Sequence, residues 1–174
     1  MNTAILAGGC FWCLDTLFRQ LAGVQAVRCG YCGGDPAMAD YRSVCSGNSG
    51  HAECVEVQFD PTVLPYPALL EIFFALHDPS TLNRQGHDIG SQYRSAIFTL
   101  DQQQQQIAQA TIAALLASGT HASIVTEVSA AGPFFPAEIE HQDYYAHHPE
   151  APYCQSVISP KLASLRQRFK TQLK

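Results

Sequence analysis

The stretch Thr3-Ala4-Ile5-Leu6-Ala7-Gly8-Gly9-Cys10-Phe11-Trp12-Cys13-Leu14-Asp15-Thr16-Leu17-Phe18 decides how this chain begins to fold. A short apolar run ends at a glycine pair, and from Phe11 the apolar positions Leu14, Leu17, Phe18 and Leu21 recur at helical spacing until Gly23. That is a strand, a tight turn and a helix. Residues 24–31 read as a second strand, and the alternation Cys54-Val55-Glu56-Val57-Gln58-Phe59, closed by Asp60-Pro61, as a third. Residues 65–76 predict a buried helix and residues 96–100 a fourth strand. The order βαββαβ is the split-βαβ, ferredoxin-like pattern, so the expected fold class is α+β: a two-layer α/β sandwich around a mixed sheet.

Farther along, Asp101 can cap a helix whose glutamine run, Gln102 to Gln106, is solvated while Ile107, Ile112, Leu115 and Leu116 pack inward. A strand over 123–128 and helices over 136–147 and 160–173 are expected to complete one catalytic domain spanning 1–174. The connections 32–52 and 77–93 carry no regular pattern, and loops that long in a compact domain are usually functional or disordered.

With 174 residues the chain is long enough to bury a core without disulfides or a structural metal. Its net charge of -5 leaves no basic surface for a phosphate backbone, so no nucleic-acid partner is expected. The opening Met1 to Ala7 lacks the pattern of a secretory signal, and no apolar run approaches the roughly 20 residues of a membrane span. The expectation is therefore a cytoplasmic protein with no membrane partner, acting as a monomer. Seven cysteines, an odd number, argue against a fully paired secreted framework and point to redox or metal chemistry.

Cys10 stands where the predicted helix begins. Free backbone N–H groups there favour a thiolate, the reactive form of cysteine, and so should lower the pKa of the thiol. Gly8 and Gly9 permit a sharp turn that leaves the sulfur open, and Phe11 and Trp12 can supply an apolar wall. The bland alternative is a buried cysteine between core aromatics. Cys10-Phe11-Trp12-Cys13 is also a Cys-x-x-Cys, in which a second thiol can close a disulfide on the first. Zinc is the competitor, because Cys29-x2-Cys32 follows at a four-cysteine spacing, but the bulky Phe-Trp between the first pair speaks against it. Cys45 and Cys54 have no regular partner spacing and receive no role.

Glu53 ends a glycine-rich stretch just before an apolar strand, where partial burial would raise its pKa and make it a general acid; a solvated surface carboxylate is the alternative. His51 beside it reads as a surface or packing residue as readily as a functional one. The polar segment from His77 to Arg94 is built either for recognition or merely for loop-stabilising hydrogen bonds. Glu138-x-x-His141 matches half of a di-iron signature whose second half is absent, and no metal is assigned to it.

Gly8-Gly9-Cys10-Phe11-Trp12 occurs together with Gly30-Tyr31-x-Gly33-Gly34, Tyr41-Arg42-Ser43-Val44-Cys45-Ser46-Gly47, Gly50-His51-Ala52-Glu53, His77-Asp78-Pro79, Gln92-Tyr93-Arg94-Ser95, His141-Gln142-Asp143-Tyr144 and Tyr153-Cys154. In these motifs, which run over nearly its whole length, the chain resembles the A-type peptide methionine sulfoxide reductases. The resemblance implies a thiol-dependent enzyme with no cofactor and no metal. It would reduce methionine S-sulfoxide, free or within oxidised proteins that it repairs. By the same resemblance Cys10 is the nucleophile, Glu53 the acid, and Tyr41, Asp88 and Tyr93 hold the sulfoxide oxygen and an ordering water. Phe11 and Trp12 would hold the substrate methyl group. A Cys10 sulfenic acid would be resolved to a disulfide that thioredoxin or a similar dithiol reduces. Many relatives have Gly at the position of Cys13 and resolve with a cysteine at that of Cys154, so both are candidate resolving cysteines. Cys154 follows Pro149 and Pro152, in a segment expected to be mobile enough to reach the site, while Cys32, where relatives usually have a small residue, is either a third thiol in the relay or simply a small replacement.

Overall fold

A computed structural model describes all 174 residues, Met1–Lys174. Its elements are β1 (Asn2–Gly8), α1 (Phe11–Arg19), β2 (Val24–Cys32), α2 (Tyr41–Cys45), β3 (Ala52–Phe59), α3 (Tyr66–Leu76), β4 (Arg84–Gln85), β5 (Asp88–Ile89), β6 (Ser95–Thr99), α4 (Gln102–Ala117), β7 (Glu127–Ala130), β8 (Phe135–Pro136), α5 (Tyr144–His147) and α6 (Ser159–Arg168).

The main sheet has the order β7-β6-β1-β3-β2-β8. Its four central strands are antiparallel, and β7 joins β6 in parallel, which makes the sheet mixed. The central order follows from two split-βαβ units, each inserting one strand between the two that its helix connects. On the helix-covered face Leu6, Val27, Val55, Val57 and Ile97 meet Leu14, Phe18, Leu70 and Phe73, forming the larger core. The reverse face is a smaller cluster of Ile5, Ala7, Cys32, Ala52, Cys54, Ala96 and Phe98, with Ala131 and Phe134 of the chain after β7 packed against it. Asp101 caps α4, its carboxylate accepting from the Gln104 backbone N–H at 2.7 Å.

The C-terminal third departs from its sequence reading. No helix spans 136–147. Gln142 is extended, and its amide donates to the Cys29 carbonyl at 3.0 Å and accepts from the Cys29 N–H at 2.8 Å, so it extends the sheet edge. Asp143 follows in a left-handed conformation (φ 51°), and its N–H bonds the buried carboxylate of Asp15 at 2.8 Å. These side-chain bonds to backbone outcompete helix, leaving only the single turn α5. The strand expected over 123–128 is β7, lying later because it pairs with β6 from Ala96↔Glu127 onward. The helix expected over 160–173 stops at Arg168, where a short 3₁₀ turn brings Leu173 to pair with Leu21. The two long connections are ordered: one holds α2, and the other the β4–β5 hairpin.

Candidate active site

Cys10 is the residue before α1, at the end of the turn that leaves β1. Gly9 adopts φ +97°, and a Cβ there would stand 2.6 Å from Gln85 Cγ. Only glycine allows the β4–β5 hairpin to lie this close. Gln85 in turn clamps the start of its loop, accepting from the Asp78 N–H at 2.9 Å and donating to the Asp78 carbonyl at 3.0 Å. The hairpin carries Asp88 toward the sulfur.

Glu53 leaves β3 on the helix-covered face, opposite Tyr31 in register, and is 1% exposed. One carboxylate oxygen accepts the Phe11 N–H at 3.1 Å, at the open end of α1. Burial dominates nevertheless and pushes Glu53 up to about 8, with Asp88 adding a smaller push and the Phe11 bond opposing it. Glu53 is therefore a neutral acid near pH 7.

Cys10 overturns one expectation. Burial, then the charge of Glu53 and then Cys13, push its thiol well above the usual value, while the Trp12 backbone N–H and the Tyr153 hydroxyl only partly offset them. The helix start acts in the expected direction, and desolvation outweighs it. With both groups protonated, the pair holds one thiol proton and one acid proton.

Two zones flank this pair. The first is aromatic: Phe11, fully buried, stacks on Tyr41 with ring centroids 6.4 Å apart, closing the floor. Trp12 is partly exposed; Tyr144 stacks on it at 3.8 Å and 6°, and its indole N–H donates to His141 Nδ1 at 3.3 Å. His141 also stacks on Tyr41 at 4.2 Å. Tyr93 belongs to the same neighbourhood: burial raises its phenol first, then Glu53, Cys45, Cys10 and Asp88. The second zone is a cleft of about 340 Å³, lined among others by Cys10, Cys13, His87, Asp88, Tyr153 and Lys161. There the Tyr153 hydroxyl donates to Asp88 Oδ2 at 2.7 Å.

Reading the sequence alone missed the parts of His141, Tyr144, Tyr153 and Glu138 in this arrangement. Glu138 accepts from the Tyr31 hydroxyl at 2.8 Å and from the Tyr41 N–H at 3.0 Å, fixing where α2 starts. The signal was the density of aromatic and polar residues from 134 to 154, which a helix reading spreads around a surface. His51 staples a loop, its Nδ1 accepting from the Gly34 N–H at 3.0 Å. Cys154, expected to be mobile, is fully buried and packed with Cys13 and Ile158.

The four cysteines of the zinc spacing are dispersed. Cys32 lies on the reverse face of the sheet, and the Cys29 thiol donates to the Phe11 carbonyl at 3.6 Å. No group of three or more His, Cys, Asp or Glu side chains is arranged to hold a metal ion. All seven cysteines are free, and no helix is long and apolar enough to cross a membrane.

Comparison with known proteins identifies the family. The family model described as peptide methionine sulfoxide reductase matches residues 2–173. The chain is 57% identical over 170 residues to the peptide methionine sulfoxide reductase MsrA of Chromobacterium violaceum, covering 97% of each. It is 53% identical over 178 residues to that of Ralstonia nicotianae, covering 99% of this chain and 93% of the relative. Among solved structures, reduced Mxr1 from Saccharomyces cerevisiae superposes with a TM-score of 0.81 at 28% identity, over 88% of both chains. Methionine sulfoxide reductase A of Corynebacterium diphtheriae gives 0.76 at 36% identity, over 85% of this chain and 75% of the other. With a buried acid beside a thiol at a helix start, and a family match over essentially its whole length, the chain belongs to the peptide methionine sulfoxide reductase family.

Proposed function

We propose that the chain, acting as one catalytic domain in the cytoplasm, reduces methionine S-sulfoxide, free or within proteins, to methionine. The observation that carries the reading is Glu53: a carboxylic acid 1% exposed, bonded to the Phe11 N–H and held protonated up to about pH 8. A sulfoxide sulfur accepts a nucleophile only as its oxygen gains a proton, and a neutral acid supplies one.

In the first step the Cys10 sulfur attacks the sulfoxide sulfur while Glu53 protonates the oxygen. The hydroxyl then passes from the methionine sulfur to the Cys10 sulfur as the methionine S–O bond and the sulfur–sulfur bond of the adduct break, so that methionine departs and Cys10 is left as a sulfenic acid. The proton that the thiol gives up replaces the one donated by Glu53, so thiol plus sulfoxide becomes sulfenic acid plus thioether with nothing left over. Tyr41, Asp88 and Tyr93 are together the groups that hold the sulfoxide oxygen and an ordering water. Trp12, held by Tyr144 and His141, presents the apolar surface for the methyl group, and Phe11 backs it. A site with a fixed apolar side and a fixed proton-donating side distinguishes the two epimers at sulfur.

A second thiol, Cys13 or Cys154, then expels water from the sulfenic acid to form a disulfide, which thioredoxin or a similar external dithiol reduces. The test is Glu53→Gln, assayed for methionine released per enzyme in a single turnover. Retention of the wild-type rate by the folded variant would contradict the assignment. A general disulfide exchanger, the second reading, needs no such acid and would tolerate that change.

A further inference from the structure

Two consecutive residues, Asp143 and Tyr144, meet two residues of α1 that share one of its faces, Asp15 and Trp12. The Asp143 N–H bonds Asp15 Oδ2 at 2.8 Å, and the Tyr144 ring stacks on the Trp12 indole at 3.8 Å and 6°. Positions 12 and 15 are neighbours on a helix surface, so one stripe of α1 fixes the backbone of one residue and the ring of the next. The turn that carries Tyr144 is weak by itself. Its helix, α5, has four residues and no side-chain cap, and a helix that short has little stability of its own. Asp143, which starts it, sits at φ 51° and ψ 42°, a left-handed conformation that a residue with a Cβ holds when its surroundings enforce it. Gln142 anchors the chain to Cys29 one residue earlier, but an Asp143 released from φ 51° would carry Tyr144 away from the indole.

Asp15 is more than the acidic half of an i, i+4 helix pair. Arg19 Nε donates to Asp15 Oδ1 at 2.7 Å, as in such pairs, yet Asp15 is fully buried and its second oxygen is engaged on a backbone 128 residues away. An ordinary surface pair needs no buried carboxylate. Burial pushes Asp15 up to about 6, with Arg19 and then the Asp143 N–H opposing the rise, so at neutral pH it is a carboxylate with both oxygens accepting. Arg19 is itself fastened to β2, donating to the Val27 carbonyl at 2.8 Å, and its Nε lies 3.7 Å from the Asp143 carboxylate. The carboxylate, its cation and the left-handed residue form one bracket between α1 and the chain that carries Tyr144.

We infer that Asp15 is a positioning residue for the substrate: it sets the turn at Asp143, the turn sets Tyr144 against Trp12, and the indole so held receives the methyl group. The inference rests on the proposed sulfoxide chemistry and adds to it a residue that acts without touching the substrate. An amide at position 15 offers one accepting oxygen where the carboxylate offers two, so Asp15→Asn keeps the size of the side chain and loses one of its two bonds. The effect falls on binding, because Cys10 and Glu53 are held by the glycine turn and by β3 rather than by this bracket.

Trp12 is the one tryptophan of the chain, so its emission reads the bracket without any substrate. Asp15→Asn and Tyr144→Ala are each expected to move the emission maximum to longer wavelength and to raise quenching by acrylamide, as the released indole meets water. Single-turnover methionine release across concentrations of N-acetylmethionine S-sulfoxide then separates binding from chemistry. Asp15→Asn is expected to raise the half-saturating concentration roughly tenfold, in the range of a lost hydrophobic recognition contact, and to leave the limiting rate within about threefold. The double variant Asp15→Asn/Tyr144→Ala is expected to bind no worse than Tyr144→Ala alone, because the two residues act in series. Losses that add in the double variant, a limiting rate that falls at unchanged half-saturation, or an unchanged Trp12 emission in Asp15→Asn would each overturn the inference. If Asp15→Asn does not fold, Arg19→Gln carries the same cycle: it leaves the carboxylate and removes its cation, smaller shifts in the same direction are expected, and their absence overturns the inference. A folded wild type that releases no methionine would instead bring down the proposed reaction, while the emission still judges the link from Asp15 to Trp12.

Discussion

Glu53 and Cys54 are consecutive residues of β3, both almost wholly buried, yet they face opposite sides of the sheet and meet different fates. Glu53 points to the helix-covered face, where it receives the Phe11 N–H beside Cys10. Cys54 points to the reverse face, where it packs with Cys32, Ala52 and Phe98, its thiol donating to the Gly30 carbonyl at 3.5 Å. Burial raises the pKa of both. What separates the proposed acid from a packing group here is not a perturbed pKa but access: one face opens at the α1 turn onto the cleft and aromatic pocket, and the other is closed by the chain around Phe134.

The sharpest way to break this comparison is Glu53→Gln. Removing a positioned acid should cost on the order of 10²–10⁴-fold in the methionine-forming step, read by single-turnover kinetics. The same change should stabilise the fold. Between pH 4.5 and about 8 the unfolded carboxyl loses a proton that the folded one keeps, so native stability falls as pH rises through that window. Glu53→Gln removes this dependence, so its stability relative to wild type should rise by on the order of 3 kcal/mol from pH 4.5 to pH 7, measured by urea denaturation of both proteins at both pH values.

Next in size is Trp12→Ala. Losing the apolar surface that Tyr144 and His141 hold in place should lower kcat/KM for the sulfoxide by roughly 10–200-fold, the worth of a hydrophobic recognition contact. Tyr144→Ala, which frees the indole without deleting it, should fall between that variant and wild type in the same assay. The rate of methionine formation in wild type should also decline above about pH 8 as Glu53 loses its proton, and a stopped-flow pH series would show whether the limb is there. The smallest effect belongs to the reverse face. Cys54→Ala should leave turnover within about twofold while costing roughly 1–2 kcal/mol of stability, as expected for a buried side chain that only packs. A large loss of turnover there would erase the distinction between the two faces.

The sequence discloses the central elements because their apolar periods, 3.6 in α1 and 2 in β3, are the periods of the core they build. It also singles out the candidate pair Cys10 and Glu53, since each stands at an element boundary where glycines mark a turn. It conceals the region after Ala130. There Gln142 and Asp143 owe their conformations to partners more than a hundred residues away, Cys29 and Asp15, which no local pattern reports. The burial of Cys154 was hidden likewise, since Pro149 and Pro152 suggest a loose segment while Cys13 and Ile158 enclose the thiol. The raised Cys10 thiol was missed for a related reason: a helix start is visible in sequence, whereas the protein packed around the sulfur is not.

The most direct test of the central claim is reduction of N-acetylmethionine S-sulfoxide with dithiothreitol by wild type and by Cys10→Ser, with the R epimer as control. The account predicts turnover of the S epimer alone, abolished in the folded variant. Turnover that survives Cys10→Ser, or a folded wild type that releases no methionine, would contradict it.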